Sequence, residues 1–336
     1  ILPRRSNDTR GQMEQNTLKG YIVSEKRGLF ACASDEGGQY ACRAATRFRN
    51  QNNAPVVGDR IDFTDNGDGT GFITVISERK NCFLRPHIAN VDLLVIVVTP
   101  ADPAPDLYVI DKLSCVAIRG GAKPVFVVNK NDVGDGNSLA EIYRRCGFDV
   151  FMTRADIGQG VDGLKAYISG KTSVFCGASG VGKSSLLNAI CPAARAETGD
   201  ISHRIGRGRN TTRHTELFPL DCGGRIADSP GFSLLDIGEA LNVPCDELAE
   251  LFPEFEEYRY SCRYRSCTHT KDDGCAVRHA VSDGIIPQSR HDSYVRLYNE
   301  LKNTKRVCVI CLTAELRVRP ITVILNVVPS VCRSTP

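Results

Sequence analysis

The eight residues Gly177-Ala178-Ser179-Gly180-Val181-Gly182-Lys183-Ser184 fit the spacing G-x-x-x-x-G-K-[ST] at every fixed position. That spacing suits one chemistry, the cradling of a nucleotide's phosphates. Glycines let the backbone curl until its N–H groups face phosphate oxygens. A helix N-terminus behind them adds partial positive charge. Lys183 would reach the β- and γ-phosphates, the Ser184 hydroxyl would bind Mg²⁺, and Ser185 follows in the same turn. The flanks agree: Thr172–Cys176 reads as a short buried strand, and Ser185–Ile190 as the first turns of a helix.

Asn129-Lys130-Asn131-Asp132 follows a second apolar run, Pro124–Val128. This is the N-K-x-D pattern that reads guanine. Asp132 can accept from guanine N1–H and N2–H₂ together, whereas adenine offers neither donor and would leave a carboxylate unpaired. Asn129 would meet the base edge or tie loops together, and the Lys130 stem would cover the ring face. Thr153 to Ala155 ends the next strand and is placed against the base.

Arg225-Ile226-Ala227-Asp228-Ser229-Pro230-Gly231 reads as a strand running into D-x-P-G. Asp228 would hold Mg²⁺ and the Gly231 N–H would sense the γ-phosphate. Before it lies a basic stretch containing Gly206 to His214. There a threonine, Thr211 or Thr212, would add its hydroxyl to Mg²⁺. The loop would order around GTP and release after hydrolysis. Its arginines equally suit RNA phosphates.

The order of these motifs is informative. Ordinary GTPases run phosphate loop, switches, then N-K-x-D. Here N-K-x-D at 129 precedes the phosphate loop at 177, so the domain reads as circularly permuted. A fourth pattern, Cys262-x₄-Cys267-x-His269-x₅-Cys275, offers three thiolates and an imidazole within fourteen residues. It suits a closed, structural, tetrahedral Zn²⁺ site. Arg259, Arg263 and Arg265 crowd it.

The elements that must position these groups follow the same order. Residues 13–85 alternate in short runs (Leu18–Val23, Leu29–Ala33, Gln39–Ala44, 59–63 and 71–76) broken by Gly37-Gly38 and Asn66-Gly67-Asp68-Gly69. About five short strands predict an OB-type β-barrel. Arg43, Arg47, Arg49 and Arg60 offer contacts to RNA, or an ordinary solvated face. Residues 86–240 alternate strand and helix, which predicts a parallel sheet. Asp102-Pro103-Ala104-Pro105 reads as a helix start, and Asp292–Leu301 as an exposed amphipathic helix in a third unit, 241–306.

Composition excludes little beyond a membrane span. The 336 residues are 42% hydrophobic and 24% charged, ordinary for a globular chain. No apolar run approaches a ~20-residue span, and no signal peptide is read at the N-terminus. The net charge of +3 is carried by the ends. Residues 1–12 and 307–336 each hold three arginines against one acid, and the body carries −1. Both ends are read as flanking, non-native or disordered sequence. The 15 cysteines show no paired framework, which fits a reducing cytoplasm.

Taken together, the permuted order, the phosphate loop, Gly206-Arg207-Gly208-Arg209-Asn210-Thr211-Thr212, D-S-P-G and the Cys₃His spacing resemble the RsgA (YjeQ or YloQ) family of small-ribosomal-subunit biogenesis GTPases. The resemblance spans about Met13 to Arg306. It implies an α/β permuted P-loop GTPase domain with an N-terminal OB-type barrel and a C-terminal α-helical zinc-binding domain. It implies a cytoplasmic, monomeric factor that binds the small (30S) subunit and its 16S rRNA, with GTP turnover to GDP stimulated by that subunit. Phe232 follows Gly231 where Ras-like enzymes place a water-positioning glutamine, and the family uses an apolar residue there. The family carries a histidine just before the Thr-Thr pair, and here that position is Asn210. Asn210 can orient water but takes up no proton near pH 7, so His214 and Thr212 join it as catalytic candidates. A GTP-gated RNA-binding scaffold that hydrolyses weakly is the alternative.

Overall fold

The computed structural model describes residues 16–50, 54–84, 86–191, 215–228, 241 and 243–303. Five strands form the first layer: β1 (Thr17–Lys26), β2 (Leu29–Ser34), β3 (Gln39–Ala44), β4 (Arg60–Asp65) and β5 (Thr70–Ile76). They run in the order β1-β2-β3-β5-β4, and β4 pairs back onto β1. Closure removes both edges. Alternation supplies the reason for the barrel: Ile22, Cys32, Cys42, Ile61, Phe63 and Ile73 point inward and are essentially inaccessible to water. Arg27 and Gly28 both take positive φ, 55° and 78°, and so form the tight reversal that joins β1 to β2. A four-residue helix, α1 (Arg47–Asn50), follows β3, and a hairpin of β6 (Cys82–Leu84) and β7 (His87–Ala89) leads out of the barrel.

The second layer is a parallel sheet. Its strands are β8 (Leu93–Val98), β9 (Lys123–Asn129), β10 (Asp149–Thr153), β11 (Thr172–Cys176) and β13 (Arg225–Asp228), with β12 (Glu216–Pro219) antiparallel at the edge. The order is β10-β9-β8-β11-β13-β12. The continuous apolar runs arise because both faces are covered. In β8, Leu94, Ile96 and Val98 face one core, with α2 (Leu107–Arg119) and α3 (Gly136–Arg145). Leu93, Val95 and Val97 face the other, with α4 (Val161–Ile168) and α5 (Lys183–Ile190).

The third unit packs on α2. Two short 3₁₀ turns, Leu248–Leu251 and Pro253–Phe255, precede α6 (Ala276–Ser282) and α7 (Gln288–Asn303). One sequence expectation holds here and one changes. Helix α2 begins at Leu107, just after the Asp102–Pro105 start signal, and the Asp106 carboxylate caps it by accepting from Val109 N–H at 3.3 Å. Helix α7 is longer than Asp292–Leu301 and is not simply exposed: Arg290, His291, Ser293, Tyr294 and Leu297 are buried. The strand β12 lay unread at the end of the polar stretch. It joins the barrel to the parallel sheet through a single bridge, Ser24 to Glu216, and Arg225 of β13 lies 3.6 Å over the Tyr21 ring of β1.

A candidate nucleotide pocket and a candidate metal centre

The two motif loops emerge side by side from the C-terminal edge of the parallel sheet. Only β8 separates the strands that carry them, β9 and β11. Asn129 is buried at the end of β9, and its Nδ2 donates to Val181 O of the phosphate loop at 3.0 Å. Its Oδ1 accepts from Thr153 Oγ1 at 3.0 Å and from Ala155 N–H at 3.1 Å. One amide thus fastens three loops. Lys130 adds a second tie: its Nζ donates to Gly180 O at 2.8 Å and to Asp102 O at 3.2 Å. The Asp102–Pro105 segment therefore supports the Lys130 stem. Asp132 is exposed, and Arg154 Nε approaches its Oδ1 to 3.2 Å.

The phosphate loop itself has its glycines where neighbours require them. Gly177 takes φ +141° and Gly182 φ +91°. A Cβ at Gly177 would strike Val97 O, and one at Gly182 would strike Asn129 Nδ2. Lys183 Nζ donates to Gly177 O at 2.8 Å and to Ala178 O at 2.7 Å, so the ammonium sits inside the loop's own curl. Ser179, Gly180, Ser184 and Ser185 are exposed, while Val181 is buried beneath as the anchor. Beside this strand, Asp228 pairs in register with Phe175, bringing the D-x-P-G motif to the same edge.

Asn210, Thr211, Thr212 and His214 lie outside the described residues, as do Gly231 and both chain ends, and the Asp228 side chain is likewise outside the description. Among the barrel arginines, Arg60 is engaged in a bidentate pair with Asp35 (2.8 and 2.9 Å). Arg47 donates to Thr74 O and stacks on Phe48. Arg43 remains exposed in a cross-strand row, Lys26–Leu29–Arg43–Phe72.

The four metal-ligand candidates converge. One ligand atom from each of Cys262, Cys267, His269 and Cys275 lies within 4.8 Å of all the others. Cys262 and Cys275 Sγ stand 3.5 and 3.6 Å from His269 Nδ1 and 3.9 Å from each other. A tetrahedral zinc with ordinary bond lengths would set these edges at about 3.6 Å (S to N) and 3.8 Å (S to S). The donor set and spacing fit that ion. Burial holds the His269 imidazole below its usual pKa, toward the neutral form that a ligand requires. His269 takes φ 57°. His291 Nε2 grips its carbonyl at 2.8 Å, and the Tyr294 hydroxyl donates to Thr268 O at 2.8 Å. Cys262 Sγ also accepts from Ala276 N–H at 3.3 Å, the first residue of α6.

Sequence reading missed the contact that fixes this unit to the sheet. Arg290 of α7 is fully buried, with Nη1 2.8 Å from Asp111 of α2 and Nε 2.6 Å from Glu254. Arg290 precedes the helix read from sequence at Asp292–Leu301, and nothing local signals its partners, which lie 179 and 36 residues away. Among the described residues, no helix is long and apolar enough to cross a membrane.

Known proteins match over the same regions. The profile described as RsgA GTPase matches residues 76–238, and that described as RsgA N-terminal domain matches 19–73. A profile described as 50S ribosome-binding GTPase matches 172–314, beginning at β11. The small ribosomal subunit biogenesis GTPase RsgA of Moorella thermoacetica is 41% identical over 291 residues, covering 86% of this chain and 97% of its own. That of Geobacillus kaustophilus is 41% identical over 293 residues, covering 85% and 98%. The crystal structure of YjeQ from Thermotoga maritima superposes with a TM-score of 0.72 at 34% identity, over 85% of this chain and 99% of that one. YloQ, described as a circularly permuted GTPase, gives 0.71 at 32% identity, over 87% and 98%. Likeness of this depth, along nearly the whole length of each relative and with the same permuted sheet, means that the chain belongs to the RsgA family of GTPases.

Proposed function

We propose that this GTPase binds GTP in the pocket between the Asp132 and Lys183 loops and hydrolyses it during assembly of the small ribosomal subunit. The observation that carries the pocket is the pair of ties from Asn129 to Val181 and from Lys130 to Gly180. They hold a base-reading loop and a phosphate loop on one edge although the sequence order is reversed. Asp132 reads guanine, Lys183 and the loop amides of Gly177–Ser184 hold phosphates, and Ser184 with Asp228 and Thr212 holds Mg²⁺. Gly231 senses the γ-phosphate. Asn210, or His214, orients the attacking water. Cys262, Cys267, His269 and Cys275 hold a structural zinc ion, which supplies folding energy and no chemistry.

The 30S subunit and its 16S rRNA are the partners; the relatives' names as small ribosomal subunit biogenesis GTPases support the subunit. The barrel supplies one RNA face. Lys26 and Arg43 alternate with Leu29 and Phe72 across four strands, and Phe72 is 49% exposed. Cations for phosphates beside an aromatic face for bases suit unpaired RNA. The chain acts as a monomer in the cytoplasm.

The test is GTP turnover by the full-length chain titrated with purified small subunits. Turnover that rises with subunit and saturates supports the reading. Flat turnover, or equal affinity for ATP and GTP, refutes it.

A further inference from the structure

Arg154 leaves the end of β10 with its guanidinium strung between two carboxylates. Its Nε lies 3.2 Å from Asp132 Oδ1, and its Nη2 donates to Asp156 Oδ2 at 3.0 Å. The root is fixed as firmly as the tip. Arg154 N–H donates to Gln159 O at 2.9 Å, closing the turn that also delivers Ala155 N–H to Asn129 Oδ1. The side chain is therefore held against the residue that reads the base, by the loop that is itself tied to the base-reading motif.

We propose that Arg154 is a positioning residue for guanine, acting through Asp132; this rests on the guanine-nucleotide reading of the pocket. Asp132 is 42% exposed at its side chain, and a carboxylate in water samples several rotamers. Guanine must find both oxygens aligned with N1–H and N2–H₂, and the ordering of that side chain counts against affinity. Arg154 removes part of this cost in advance. The closest approach joins Nε to Oδ1, while Nη2 is committed to Asp156, so the guanidinium is shared between two carboxylates.

Each carboxylate oxygen can accept twice, so Oδ1 can serve Arg154 and a base donor together. Arg154 Nε is buried and completes no hydrogen bond among the described residues; its 3.2 Å contact is off-angle. A carboxylate turned to meet guanine would present the missing lone pair. Base binding and the Arg154 contact then reinforce one another. The role belongs to the guanidinium rather than to the loop, whose backbone bonds survive truncation of the side chain.

The experiment is titration of the full-length chain with a fluorescent GDP analogue. It compares wild type, Arg154→Ala and Arg154→Gln, then repeats Arg154→Ala in an Asp132→Asn background with xanthosine diphosphate. The expected result is a dissociation constant for GDP raised about fivefold in both single variants, with at most a marginal change for xanthosine diphosphate once Asp132 is an amide. Unchanged or tighter GDP binding in Arg154→Ala would overturn the inference, as would equal losses in the two backgrounds, since a general disturbance of the loop ignores the charge at 132. A wild-type chain that binds no GDP would remove the pocket and this inference together. Normal wild-type affinity beside an unchanged Arg154→Ala would remove the inference alone.

Discussion

Arg290 Nη1 stands 2.8 Å from Asp111 Oδ1, and the two side chains are 0% and 1% exposed. The pair crosses from the unit that carries the Cys₃His cluster to helix α2 of the parallel sheet. It is not isolated. Glu254 holds the other edge of the guanidinium, Ser114 Oγ lies 3.2 Å from Nη1, Tyr143 donates to Asp111 at 3.2 Å, and Phe252 lies 4.7 Å beneath the cation. Such a buried pair adds little net stability against an apolar replacement, but losing one partner strands a charge. Arg290→Ala is expected to cost about 3–5 kcal/mol in denaturant unfolding, because two carboxylates are left in a dry site. A cost below about 1 kcal/mol would show that water reaches the site and that the pair is not a latch.

Removing metal tests the same connection from its other end. Helix α7 carries His291 and Tyr294 toward the Cys₃His cluster and Arg290 toward α2. One zinc per chain is expected by elemental analysis. Chelation should expose the four ligands to thiol and imidazole reagents and forfeit on the order of 10 kcal/mol of local folding energy. Because α7 is shared, the GDP-bound core should also melt earlier after chelation. A chelated protein whose cysteines stay unreactive would show that packing, not metal, holds the cluster.

Much of this was legible because the informative residues sit close together in sequence. Gly177–Ser184, Asn129–Asp132 and Cys262–Cys275 are local patterns whose geometry follows from spacing. The buried runs of β8 and β9 announce a two-sided sheet, since Leu93–Val98 needs apolar cover on both faces. The permuted strand order follows from motif order alone. What stayed hidden depends on distant partners. β12 is four residues long, and its pairing with β1 and β13 is set by tertiary contact rather than by alternation. Arg290 looks like any surface arginine until Asp111 and Glu254 are placed beside it. Arg43 and Arg60 look alike in sequence, and only the fold shows that Asp35 has taken Arg60.

Asn129 should matter to affinity more than its lack of charge suggests. Its amide bonds Val181 O, Thr153 Oγ1 and Ala155 N–H in a buried site. Asn129→Ala removes all three, at about 1 kcal/mol each, and leaves polar groups short of partners. The expected outcome is a GDP dissociation constant raised by roughly 100-fold, measured by calorimetry. Fold stability should fall less, since the strand itself is anchored by Phe126 and Val128. Equal losses in stability and affinity would make Asn129 a core residue rather than the joint of the pocket.

Acid should loosen the outer strand of the sheet, β10, at the end opposite the pocket. Hydrogen bonds from Lys123 and Tyr167 hold the Asp149 carboxyl below its ordinary range. A depressed carboxylate contributes stability that is complete above its unfolded pKa, about 3.9, and is lost as pH falls through the folded value. Unfolding free energy measured from pH 6 to pH 2.5 should therefore decline below about pH 4. Asp149→Asn should flatten that decline while lowering stability at pH 6. An unaltered profile would assign the acid sensitivity to other groups.

The barrel's external row provides the last test. Lys26, Leu29, Arg43 and Phe72 are successive cross-strand partners, so their side chains share one outward face. Cations and an aromatic ring contribute differently to RNA binding. An arginine neutralises phosphate and releases counterions, so Arg43→Ala should weaken binding to single-stranded RNA of any sequence and reduce the slope against salt by about one unit. A phenyl ring offers a stacking surface that salt scarcely affects, so Phe72→Ala should cost about 1–3 kcal/mol at both low and high salt. GTP turnover without RNA should be unchanged in both, because the row lies on the barrel's outer wall and the phosphate loop on the parallel sheet. Identical salt slopes in the two variants would mean that the row is a solvated strand face and not an RNA surface.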